Sequence, residues 1–67
     1  MNITINKEPK KIGADFRLLQ LLKDIKLINK EGIAIAVNNQ VITKSGWEQF
    51  RLKENDKITI IKATQGG

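Results

Sequence analysis

The chain has 67 residues, 40% of them hydrophobic and 28% charged, with a formal net charge of +5; this length builds one small core and excludes a second, and the balance is that of a folded soluble domain, not a disordered segment or a coiled coil. It contains no cysteine and no histidine, which excludes disulfides, the usual zinc sites, thiol nucleophiles and every Ser-His or Cys-His arrangement. No apolar stretch approaches the roughly 18 residues of a membrane span, and residues 1–10 lack the apolar core of a secretory signal, so a cytoplasmic location is expected.

The opening NITIN alternates Ile3 and Ile5 with Asn2, Thr4 and Asn6, a period of two that predicts a strand over residues 2–6 buried on one face. Asn6, Lys7, Glu8 and Pro9 supply turn chemistry, and residues 10–12 return as a short second strand. Pro9 has no N–H to give to a ladder, which confines that strand to a sheet edge or Pro9 to its beginning. From Asp15 the period changes: Leu18, Leu21, Leu22, Ile25 and Ile28 share one stripe, with Arg17, Gln20, Lys23 and Asp24 opposite. That spacing predicts an amphipathic helix of about three turns, broken from the hairpin by Gly13 and capped by Asp15, with its leucines in the core.

In GIAIAV, Ile33, Ile35 and Val37 point one way and Ala34 and Ala36 the other, a strand whose second face is small and mildly apolar. Asn38, Asn39 and Gln40 make a turn, and residues 41–43 pair back. KSGWEQFRL shows no alternation and reads as a short helical turn or loop that sets Trp47 and Phe50 at the core edge. Glu54, Asn55 and Asp56 form a further turn before a last strand over residues 57–63.

A single apolar helical stripe in the order β-β-α-β-β-β must lie on one face of a mixed sheet, with the first and last strands central. The expected class is α+β, a β-grasp or ubiquitin-like fold of about five strands with one main helix. Residues 1–63 then form a single domain and residues 64–67 a flexible tail. A small split barrel is the alternative and fits the early helix less well. If Ile58 and Ile60 face the helix, then Thr59, Ile61 and Ala63 lie on the uncovered face beside Ala34 and Ala36. This makes Ile61 and Ala63 the candidates for docking a partner.

The charged residues offer little chemistry. Glu8, Asp15, Asp24, Glu31, Glu48, Glu54 and Asp56 interleave with lysines, show no acid/base or EF-hand spacing, and are expected to be solvated. Lys7, Lys10, Lys11, Lys23, Lys26 and Lys30 would neutralise phosphates, but one Trp, two Phe and no Tyr give no aromatic strand signature for bases. An ordinary basic surface is expected, or one that docks an acidic protein, and no nucleic acid.

The tail offers more. Glycine lacks a Cβ, so Gly66 and Gly67 can enter a channel too narrow for side chains, and the four residues after Ala63 reach roughly 13 Å. The group delivered would be the terminal carboxylate, an anion and a poor electrophile until activated, for instance as an acyl-adenylate.

AVNNQVITKSGWEQFRLKENDKITIIKATQGG resembles the C-terminal half of the thiamine-biosynthesis sulfur carrier proteins, the ThiS family, in its apolar strand ending Val37-Asn38, its Trp47, its Asp56 turn, its isoleucine-rich last strand and its Gly66-Gly67. The likeness runs more weakly through LLQLLKDI to the first strand, at matching chain length. Two departures fall in loops: no proline near residues 42–44, and Asn55 where the family often has glycine, a change Asn tolerates in the left-handed conformation. The resemblance implies a carrier rather than an enzyme, a monomer when free, with no stably bound cofactor. A ThiF-type adenylyltransferase using ATP and magnesium would adenylate Gly67. A cysteine-desulfurase relay would convert it to a thiocarboxylate, and thiazole synthase would take the sulfur. Gly66 would give clearance, with Thr64 and Gln65 guiding the backbone. The small subunit of molybdopterin synthase, a ubiquitin-related modifier and a basic RNA-binding β-grasp module are the competing readings.

Overall fold

Two hairpins flank a central strand in the computed structural model, which describes residues 1–29 and 31–62. In the first hairpin, β1 (Asn2–Ile5) pairs antiparallel with β2 (Glu8–Lys11). Asn6 and Lys7 connect them with φ of 50° and 73°, the two positive values of a type I′ turn, whose twist matches that of the strands. The turn is thus shorter than the four residues expected, and Glu8 and Pro9 belong to the strand. Pro9 is tolerated because β2 is an outer strand of the sheet, ordered β2-β1-β5-β3-β4.

The second hairpin repeats the device. β3 (Ile33–Val37) and β4 (Gln40–Ile42) are joined by Asn38 and Asn39 at φ 52° and 70°. Gln40 therefore opens the strand instead of completing the turn, and Thr43 leads into a single 3-10 turn at Lys44–Gly46. β5 (Lys57–Lys62) lies between the hairpins, parallel to β1 and antiparallel to β3, so the first and last strands are both interior, as their apolar alternation predicts. The side chain of Asn6 extends the β1 seam past the strand end, its Oδ1 accepting from Ile60 N–H at 2.8 Å.

The helix departs from expectation at both ends. α1 (Leu18–Asp24) has seven residues, about two turns instead of three. Asp15 does not cap it: its backbone is left-handed at φ 59° and its carboxylate pairs with Arg51 Nη1 at 3.1 Å. The start is delayed because residues 16–18 are held extended against the loop before β5. Arg17 bridges Arg51, Leu52 N–H donates to Phe16 O at 2.8 Å, and Leu18 N–H donates to Phe50 O at 2.9 Å. Arg17 is the N-cap position, and since its side chain has no acceptor, the cap is the reverse bond, Arg17 N–H to Gln20 Oε1 at 2.9 Å. At the other end Lys26 turns left-handed at φ 64°, with Lys26 N–H on Lys23 O and Leu27 N–H on Leu22 O. This pair of bonds is a Schellman motif, in a position glycine usually fills. Ile28 lies beyond the helix and still packs against the core.

Leu18, Leu21 and Leu22 are fully buried and meet Ile3, Ile35, Val37, Trp47, Leu52 and Ile58 in one cluster. Each such side chain contributes roughly 1.5–3 kcal/mol by leaving water. Trp47 is buried with its indole Nε1 donating to Ile42 O at 3.0 Å, so the polar edge of the ring is satisfied. One carboxylate contradicts the expectation of solvated charge. Asp56 is 7% exposed, its two oxygens accepting from Asn38 Nδ2 at 2.9 Å and Lys53 N–H at 2.7 Å. Asn38 Oδ1 in turn accepts from Lys57 N–H at 3.0 Å. The pair ties the β3-β4 turn to the start of β5. Beside it Asn55, at φ 69°, occupies the left-handed position where glycine would be at ease.

Two outcomes are expected in thermal unfolding followed by circular dichroism. Asp56→Ala orphans the Asn38 amide and the Lys53 N–H and should cost about 2 kcal/mol, lowering Tm by roughly 8–16 °C for a domain of this size. Lys26→Gly should raise stability by roughly 0.5–1 kcal/mol by relieving the left-handed backbone.

Candidate docking face

The alternation of β5 divides the sheet into a covered and an open side. Ile58 is buried and Ile60 packs against the core, whereas Thr59 and Ile61 point away from the helix. Register then assigns their neighbours: Ala34 pairs with Ile61, and Ala36 pairs with both Thr59 and Val41. The open side at this end of the sheet is therefore Ile61, Thr59, Ala34, Ala36 and Val41. The alanines are too short to rise from the sheet, so Ile61 and Val41 stand above them, 49% and 63% exposed. They are the exposed large hydrophobic side chains among the described residues.

Full burial of such a side chain is worth roughly 1.5–3 kcal/mol, so the surface that these two leave in water is free energy that an apolar partner surface would gain. The outward placement of Ile61 was legible in the sequence. That of Val41 was not, although the signal existed: with Ile42 on the core side, the preceding residue of the same strand must face outward. A groove lined by Ala34, Val41, Ile42 and Thr43, with Glu31 and Lys44 also on its wall, continues the patch around the β4 edge.

The patch adjoins the point where β5 leaves the sheet, since Lys62 pairs with Ile33 one register step beyond the Ile61–Ala34 pair. Ala63, Thr64, Gln65, Gly66 and Gly67, the other sequence-derived site positions, lie outside the described residues.

Elsewhere the surface is chemically plain. Among the described residues no three carboxylates gather as a metal-binding group. The hydroxyl pair Thr43 Oγ1 and Ser45 Oγ, 3.3 Å apart, is exposed and has no carboxylate hydrogen-bonded to it. A groove beside the helix start is lined by Asp15, Arg17, Leu19, Gln20 and Glu48, two carboxylates and one guanidinium.

Similar architectures are known. A crystal structure of a thiamine biosynthesis protein (ThiS) from Geobacter metallireducens superposes with a TM-score of 0.85 at 22% identity, covering 100% of both chains. The solution structure of a thiamine biosynthesis protein from the same organism gives 0.78 at 22% identity, covering 100% of this chain and 88% of the other. These likenesses establish the fold, the five-stranded mixed sheet with one helix of the β-grasp class. Curated proteins give no significant match. The sequence model of the ThiS family, by contrast, matches residues 3–67, nearly the whole chain, and the protein belongs to the ThiS family.

Proposed function

We propose that this protein is a sulfur carrier for thiazole formation in thiamine biosynthesis, with Gly67 as the residue that bears the sulfur. The observation that carries the reading is the family match through residue 67, which takes in Gly66 and Gly67 together with the strand that leads to them. Supporting it is the exposed apolar face near the C-terminal end of β5.

The chemistry follows from the tail. Attack of the Gly67 carboxylate on the α-phosphorus of ATP releases pyrophosphate and leaves an acyl-adenylate, turning a poor electrophile into a good one. Magnesium, ATP and the groups that position them belong to a ThiF-type adenylyltransferase. A persulfide from a cysteine-desulfurase relay displaces AMP, and cleavage of the resulting S–S bond by a thiol leaves the thiocarboxylate, which thiazole synthase consumes. The carrier is a cosubstrate, monomeric when free and cytoplasmic, and it holds no cofactor of its own.

Side-chain choice suits these steps. Gly66 and Gly67 present no Cβ to a narrow channel, Thr64 and Gln65 guide the backbone toward it, and a chain without cysteine has no thiol of its own to attack the activated carbonyl. Ile61 and Ala63 would meet the partner, with Val41 joining Ile61 on the open face. An RNA-binding role is less well supported, because Trp47 is buried and Phe16 and Phe50 pack against the core, leaving no aromatic face on which a base could stack.

Incubating the protein with adenylyltransferase, ATP, magnesium and a sulfur source should shift its intact mass by the replacement of one oxygen by sulfur, located at Gly67 by fragmentation. Absence of the shift, with the enzyme active on another carrier, overturns the reading, and deletion of Gly66 and Gly67 should abolish it. Ile61→Glu should raise the KM for adenylation roughly tenfold, the equivalent of about 1.4 kcal/mol, with Tm near that of the parent. A large fall in Tm would instead assign Ile61 to the core.

A further inference from the structure

The register of the sheet bears on the role of the chain's net charge of +5. Continued across β1 and β2, the uncovered side passes from Thr59 to Lys57, Thr4, Pro9, Asn2 and Lys11, because Lys57 pairs with Thr4, Thr4 with Pro9, and Asn2 with Lys11. Every strand position on this side is thus apolar, uncharged polar or lysine; none is a carboxylate.

The acids lie off these strand positions, and two of them, Glu31 and Glu54, border the side at its margins. Glu8 pairs with Ile5 on the helix side, Asp24 sits on α1 against Lys10, and Asp15 and Glu48 line the groove beside the helix start. Glu31 precedes β3 and lines the groove at the apolar Ala34–Val41 end, away from Lys57 and Lys11; Asp56 is buried, and Glu54 lies in the turn before β5 with its carboxylate accepting from Asn2 N–H at 3.0 Å. Lys11 and Lys57 are exposed, and neither forms an ion pair among the described residues. Lys57 also lines a shallow groove with Thr4 and Pro9, so its stem covers apolar surface while its ammonium reaches water.

We infer that the docking face is bipartite: the apolar Ile61–Val41 end is continuous with a cationic Lys57–Lys11 end, and the partner that fits it presents an apolar patch bordered by carboxylates. The inference rests on the carrier reading for the identity of the partner. Ile61 lies four residue steps from Lys57 along β5, about 13 Å, which places both ends within one protein interface of standard size. Charge at the border of such an interface acts mainly on the rate of encounter and its salt dependence, whereas the apolar anchors act on dissociation. Nucleic acid is the poorer occupant, because the cationic end has two lysines and no aromatic side chain.

The test measures association of the full chain with the adenylyltransferase at low and high salt. Lys11→Gln with Lys57→Gln should lower kon at low salt roughly threefold to tenfold and flatten its salt dependence. Lys23→Gln with Lys26→Gln removes the same charge from the helix side and should leave kon within about twofold of the parent. Thermal unfolding establishes that both double variants are folded. Equal slowing by the two pairs would reduce the effect to net charge and overturn the inference, as would a Lys11/Lys57 variant indistinguishable from a parent that binds. A parent that does not bind an active adenylyltransferase overturns the carrier reading and this inference with it. Binding of a labelled single-stranded RNA by the parent that the Lys11/Lys57 variant alone loses would reassign the lysines to nucleic acid and also overturn it.

Discussion

The contact of Leu18, Leu21 and Leu22 with Ile3, Ile35 and Ile58 sets what the rest of the molecule can be. A helix of seven residues has one apolar stripe and covers one side of a five-stranded sheet. The chain has no second described helix to place on the other side, so that side must be stable in water. It meets the requirement by using alanine and threonine for much of its area, and by holding its large apolar side chains to Ile61 and Val41. The open face is therefore a consequence of chain length before it is an adaptation to a partner.

Fold and site were legible where a pattern repeats. Period-two alternation located β1, β3 and β5, and the same alternation assigned Ile61 to the open side. What escaped was set by single contacts across long sequence separations. Asp15 has the residue type of a cap, yet bonding of residues 16–18 to Phe50, Arg51 and Leu52 postpones the helix, and nothing in the local sequence announces that bonding. Glu8 and Pro9 look like turn residues, and become strand because Asn6 and Lys7 both accept positive φ and close the hairpin in two residues. Asp56 resembles the other carboxylates in composition, and is buried because Asn38, 18 positions away, has an amide to donate. Val41 was missed for a different reason: β4 has three residues, too few for alternation to be read without its partner strand.

The hydrogen bonds of Asn38 and Asp56 also bear on the docking face. They fix where β5 begins relative to β3, and through the register every later pair follows, Thr59 with Ala36 and Ile61 with Ala34. A slip of one residue would turn Ile58 and Ile60 outward and bury Lys57 and Thr59, so the register holds the face as well as the core. On the proposed reading the chemistry is a property of the tail, and the folded body contributes identity and aim.

The placement of β5 in the middle of the sheet has a consequence for biosynthesis. The two hairpins form from neighbouring residues, but within the sheet they are hydrogen-bonded to each other through β5 alone, which is synthesised after both. Until it is made, β1 and β3 each keep an unpaired edge and the core lacks Ile58, so the sheet closes late, through contacts that span most of the described chain. A chain that presents the open face has therefore already received β5, the strand from which residues 63–67 follow.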